Sequence, residues 1–161
     1  MRNFTMIAPQ LWQSDRFRGV PPMAQLLHLY LLTCRHQNSA ACCSIPDGYI
    51  LTDLRWTPEE LSAAKRQLVD SDLIAFDPQT DDYFIRRFYK YCAPQNPKHI
   101  IAIKRFVAAC RSDTVRNTAQ TEFAVAEELY WLAHPGAGRN ALSGGQRPYS
   151  LTDNSKPRRS P

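Results

Sequence analysis

No run of apolar residues in this chain approaches the roughly 20 that a bilayer-spanning helix requires. Its first residues, MRNFTMIAPQLW, hold neither an apolar core segment nor a small-residue cleavage site, so a soluble cytoplasmic protein is expected, with its five cysteines as thiols. A GxxxxGK[ST] loop and an acidic Walker B strand are both missing. Leu142-Ser143-Gly144-Gly145-Gln146 spells the signature of ABC-type ATPases, but without amides and a lysine to cradle phosphates no ATP hydrolysis is expected. No spacing sets a nucleophile, a base and an orienting group together, and Glu59-Glu60 and Asp81-Asp82 are better explained by a helix cap and a turn. A non-enzyme without a cofactor is expected. Cys34, His36, Cys42 and Cys43 supply four soft ligands within ten positions; adjacent cysteines chelate one ion poorly and Cys-x-His is not a zinc-knuckle spacing, which favours thiols over a metal centre.

What remains is an ordinary globular composition, 43% hydrophobic and 22% charged, in a chain of 161 residues, enough for one domain with a real core and an appendage. The net charge of +5 is unevenly spread. Residues 1–85 carry seven cations and ten anions, residues 86–116 eight against one, residues 117–134 none against three, and the segment from Pro135 five against one. The basic character therefore sits in two stretches, and the first is expected to be ordered.

Near the N-terminus Ser14 or Asp15 can cap a short helix that tucks Trp12 and Phe17 into the core. Met23, Leu26, Leu27, Tyr30 and Leu31 recur at helical spacing after Pro21-Pro22, which predicts a helix over 22–35; His28 within it reads as a packed ring rather than a ligand. Residues 36–44 form a loop ending in a short strand, and a second helix spans about 48–54. Thr57-Pro58-Glu59-Glu60 is the sharpest helix start in the chain, with a capping residue, proline at the first helical position and glutamate two residues on. The helix it opens turns Leu61, Ala64, Leu68 and Val69 inward and Glu59, Ser62, Ala63, Arg66, Gln67 and Asp70 outward. Residues 73–76 read as a strand, 77–82 as an acidic turn, and 83–89 as an aromatic-rich strand with neither face purely core. Asn96-Pro97 opens a helix with Ile100, Ile103, Val107 and Cys110 on one face and cations on the other. Asp113 is expected to cap a last helix, carrying Val115, Ala119, Phe123, Ala126 and Tyr130, that ends near His134. Residues 135–161 are expected to be a basic, disordered tail, whose Arg139, Arg147, Lys156, Arg158 and Arg159 add non-specific affinity for polyanions or simply solubility.

The order Trp12-Gln13-Ser14-Asp15, Pro22 to Leu32, Pro46-Asp47-Gly48-Tyr49, Trp56 to Glu60, Leu73 to Asp77, Ile85 to Phe88 and Asn96-Pro97-Lys98 resembles the winged-helix N-terminal domains of phage-type replication initiators and replisome organisers. The resemblance covers about residues 10–110. It implies a mainly α fold with a small β-hairpin wing: a winged helix-turn-helix over 1–92, two C-terminal helices packed on it over 93–134, and the tail. It also implies binding to double-stranded DNA, and to a replisome or helicase-loading protein, with no catalytic residues and no membrane; a homodimer is compatible with it. Carried over, Thr57 to Val69 is the recognition helix and Ile74 to Phe88 the wing. Arg55 stands in the turn where such domains often carry glycine, and if that turn needs positive φ the cost is about 1 kcal/mol.

Arg86, Arg87, Lys90, Lys98, Lys104 and Arg105 are the strongest phosphate-binding candidates, with Tyr83, Tyr89 and Tyr91 beside them to stack on sugar or base. The alternative is a solvated face with the tyrosines in the core. Arg55, Thr57, Ser62, Arg66 and Gln67 complete the expected DNA contacts. The near-neutral outer face of that helix argues against strong base reading and leaves two other readings open, a transcriptional regulator and a protein-interaction module.

Overall fold

Thr57 closes the capping box that its spacing implies: its hydroxyl accepts from the Glu60 N–H and the Glu60 carboxylate accepts from the Thr57 N–H. Such a cap contributes about 1 kcal/mol and sets where the fourth helix begins. In this computed structural model, which describes residues 5–136, a 3-10 turn at Pro9–Gln13 precedes α1 (Asp15–Arg18), α2 (Pro22–Thr33), β1 (Cys42–Ser44), α3 (Asp47–Leu54), α4 (Pro58–Asp70), β2 (Ile74–Asp77), β3 (Asp82–Ile85), α5 (Phe88–Tyr91), α6 (Pro97–Ala108) and α7 (Asp113–Ala133). The fold is mainly helical with a small three-stranded antiparallel sheet in the order β1-β3-β2. Among the described residues no helix is long and apolar enough to cross a membrane. The LSGGQ run and the five cations from Arg139 onward lie outside the described residues.

β3 is the middle strand, and all four of its residues are buried. Alternation sends Tyr83 to one face, where it stacks on Phe76 of β2 at 4.5 Å, and Phe84 to the other, toward Tyr89. Tyr89 in turn meets Phe123 of α7 at 5.2 Å and donates its hydroxyl to the Ala40 carbonyl at 2.8 Å. Both faces of this strand are therefore core, where neither face of residues 83–89 was expected to be purely so. The aromatic strand is also shorter than its composition predicts. It stops at Ile85 because Arg87 adopts φ 60° and turns the chain into the helical turn of α5.

Other departures have equally local causes. Ser14 caps α1 and Phe17 is buried, but Trp12 stays 59% exposed and covers Phe17 only by its edge. On α2 the buried positions are Ala24, Leu27, His28 and Leu31, while Met23 and Leu26 are exposed. Val69 points outward, and Lys65 takes its place inside. Lys65 lies 4.3 Å above the Phe76 ring and pairs with Asp47, so a cation and its aliphatic stem fill a position that the hydrophobic pattern assigns to no one. Ser112, not Asp113, caps α7, its hydroxyl accepting from the Val115 N–H at 3.2 Å. Cys42 of β1 and Cys110 after α6 bring their sulfurs together across 68 residues, where five separate thiols were expected. Among the described residues no group of His, Cys, Asp and Glu is placed to hold a metal ion.

Two predictions follow from burial and pairing. His28 is 4% exposed against Phe17, its Nδ1 has no hydrogen-bond partner, and burial lowers its pKa to about 4. The unfolded chain binds this proton below about pH 6.5 while the folded one does not, so stability falls as pH drops from 6.5 toward 4. Urea unfolding at pH 7 and 4.5 should lose about 2–3 kcal/mol more in the parent than in His28→Leu. Thiol titration of the denatured, unreduced protein should find three of the five cysteines, and a count of five would leave Cys42 and Cys110 unjoined.

Candidate nucleic-acid interface

The candidate residues fall on α3–α4, at the corner after β3 and on α6. Arg55 ends α3 in the left-handed region, φ 57° and ψ 42°, so the turn does need positive φ and an exposed arginine supplies it. The backbone there costs about 1 kcal/mol relative to glycine. Thr57 is exposed, but its hydroxyl is committed to the capping box. Ser62 and Arg66 are exposed on α4 and Gln67 is half-buried; Arg55 and Arg66 join no ion pair among the described residues.

The cations after β3 behave differently. The Arg86 guanidinium bridges Asp72, just beyond α4, and Glu122 of α7, with Nε 2.6 Å from Glu122 Oε1. Glu122 Oε2 accepts from the Arg87 N–H at 2.6 Å, and the Arg87 side chain reaches Asp72 at 3.6 Å. Arg16 of α1 meets Asp72 from the other side at 2.6 Å. On α6, Lys104 pairs with Glu127 at 2.7 Å. Arg116 pairs with Asp113, and Arg111 donates to the Ser44 hydroxyl at 2.9 Å and to the Thr80 carbonyl. The basic stretch 86–116 thus packs on the acidic stretch 117–134, and half of its eight cations lie within 4 Å of a carboxylate. Lys90, Lys98 and Arg105 stay exposed with no ion pair among the described residues, Lys90 lying over Tyr91 at 5.8 Å.

Arg86, Arg87 and Lys104, expected as phosphate ligands, each face a carboxylate of the fold, with the Arg87 and Lys104 side chains still 46% and 56% exposed. The expectation for Tyr83 and Tyr89 is corrected, since both are buried and burial raises their hydroxyl pKa values above the ordinary range. Tyr91 alone of the three is exposed.

The hairpin tip adds anions. Asp77 accepts from the Gln79 N–H at 2.9 Å, and hydrogen bonds from Ser112 and then Gln79 hold its carboxyl below the usual range. The buried Asp82 carboxylate accepts from the Arg111 and Ser112 N–H groups at 2.7 and 2.8 Å. The tip is thereby tied to the corner between α6 and α7. Sequence reasoning missed the acceptors Asp72, Asp82, Glu122 and Glu127 because pairing across 14 to 36 residues leaves no local signal; the acidic count over 117–134 was the one available hint.

Sequence reasoning also missed a groove of roughly 1290 Å³ between the N-terminal segment, the α5 corner and α7, lined by Met6, Leu11, Phe88, Tyr91, Val125 and Leu129 among others. The clue lay in α7, whose apolar residues outnumber the positions of one helical face. Comparison with models of known protein families, with curated proteins and with solved structures returned no match.

Because Arg86 holds two carboxylates, Arg86→Ala should lower unfolding free energy by about 2 kcal/mol, measured by urea denaturation, through the charges it leaves unpaired. Arg55→Gly should raise it by up to about 1 kcal/mol.

Proposed function

We propose that this chain is a DNA-binding winged-helix protein acting in phage or plasmid replication initiation, with α3 and α4 as its helix-turn-helix and β2–β3 as its wing. The observation that carries this reading is connectivity. A helix, a strand, two helices and a hairpin follow one another, the first strand pairs with the last, and the second helix of the pair keeps an exposed outer face. Helix-turn-helix proteins use that second helix to enter the major groove and neighbouring groups to hold the phosphates.

The cations left uncommitted decide how the contact works. Arg55 at the head of α4 and Arg66 on its outer face supply the attraction at the helix, with Ser62 and Gln67 as neutral donors beside them. Lys90, Lys98 and Arg105 add charge from the α5–α6 side. Glu59 and Asp70 on the same outer face, and Asp77 and Asp81 at the wing tip, repel phosphate. Affinity is therefore modest and only weakly dependent on base sequence, since few side chains on α4 can read base edges.

A second reading, a module that binds a replisome or helicase-loading protein, is supported by the internal pairing of Arg86, Arg87 and Lys104, which removes much of the expected positive field. Salt dependence separates the two. Under the DNA reading, affinity for duplex DNA falls steeply with ionic strength, and Arg55→Ala with Arg66→Ala flattens the log–log slope by about 2. Duplex affinity that is undetectable at low salt, or insensitive to salt, moves the function to the protein-binding module.

A further inference from the structure

We propose that the outer face of α7, with the groove beside it, is the surface through which two copies of this chain form a symmetric dimer. α7 buries Val115, Ala119, Phe123, Ala126 and Tyr130 against the sheet and its neighbours, which accounts for one face. A second apolar row, Val125, Leu129 and Leu132 at i, i+4, i+7, is turned the other way and is 58%, 62% and 72% exposed. Met6, 78% exposed, and Tyr91, 48% exposed, line the same groove as Val125 and Leu129. A helix covered on one side needs no second apolar row, and monomers rarely leave more than a few hundred Å² of contiguous apolar surface in water.

Area, shape and charge each select a second copy as the occupant. With an aliphatic or aromatic side chain presenting on the order of 150–250 Å² when fully exposed, these five leave roughly 480–800 Å² uncovered. A standard interface takes about 800 Å² from each partner, and about 65% of a homodimer face is apolar, which calls for a similar area. Val125 and Leu129 form one wall of the groove and Leu132 stands beside it, so a two-fold axis lets the α7 row of each copy enter the other's groove. Among its charged residues α7 carries only carboxylates beyond Arg116, with Glu128 exposed, whereas Lys90 is exposed and lines the groove. The same axis that seats the row brings unlike charges together. This inference concerns the face formed by α7 and the α5 corner, not α4, and shares only Lys90 with the DNA reading.

Sedimentation equilibrium of the full chain without nucleic acid, from low to high micromolar concentration, tests it. The parent is expected to sediment as a dimer, and Leu129→Glu with Leu132→Glu, which introduces charges where apolar contacts form, should weaken association at least about tenfold. Far-UV circular dichroism and the melting temperature establish that the variant is folded. Phe106→Glu, at a side chain 43% exposed on α6, should leave the mass unchanged. A parent that stays monomeric throughout, a dimer that the two glutamates leave intact, or one that Phe106→Glu dissociates overturns the proposal.

Discussion

Arg86 leaves the sheet with its guanidinium between two carboxylates, Asp72 behind α4 and Glu122 on α7, and the mutual placement of three distant parts of the chain depends on that bridge. Glu122 uses both oxygens, one for the Arg86 side chain and one for the Arg87 N–H, so it fixes the rotation of α7 as well as its position. Asp72 and Arg87 both adopt positive φ, 54° and 60°, and their side chains meet. Aspartate tolerates that region better than most residues, and the ion pairs offset part of the cost. A chain with few glycines thus makes its sharp turns with charged residues and then uses their charge.

The same bridge changes the meaning of the charge map. A net +7 over 31 residues reads as a polyanion-binding patch when the chain is taken as a string. Folded, it lies against α7, whose charged residues beyond Arg116 are Glu122, Glu127 and Glu128. Local charge density is then a poor guide to surface potential, because opposite blocks in sequence have become partners in space. The cations that remain outward, on α4 and at the α5–α6 end, are fewer and more widely spaced.

Most helices were legible because their signals are local. The capping box at Thr57, the Asn96-Pro97 start of α6 and the inward row of α7 each lie within a few residues, and each stands in the structure. The end of β3 was not legible, since aromatic residues favour strands wherever they occur and only the backbone at Arg87 reveals the corner. Lys65 escaped notice for a related reason: a lysine counts as outward until the rings of Phe76 and Tyr83 and the Asp47 carboxylate are seen around it. As for the candidate site, Arg55 and Arg66 were found in sequence as exposed cations and remain so. Arg86 was found for a charge whose use depends on acids 14 and 36 residues away.

The Asp82 carboxylate, which closes the hairpin against the start of α7, has a consequence for how the protein is made. The last helix obtains part of its N-terminal support from a residue 30 positions earlier, and the sheet obtains its cover from that helix. On a ribosome the strands emerge well before residues 113–133, so one face of the sheet spends that interval without its helix. Until the last helix has cleared the exit tunnel, the nascent domain presents Phe84 and Tyr89 to whatever is nearby, and emergence of that helix rather than hairpin formation closes the core.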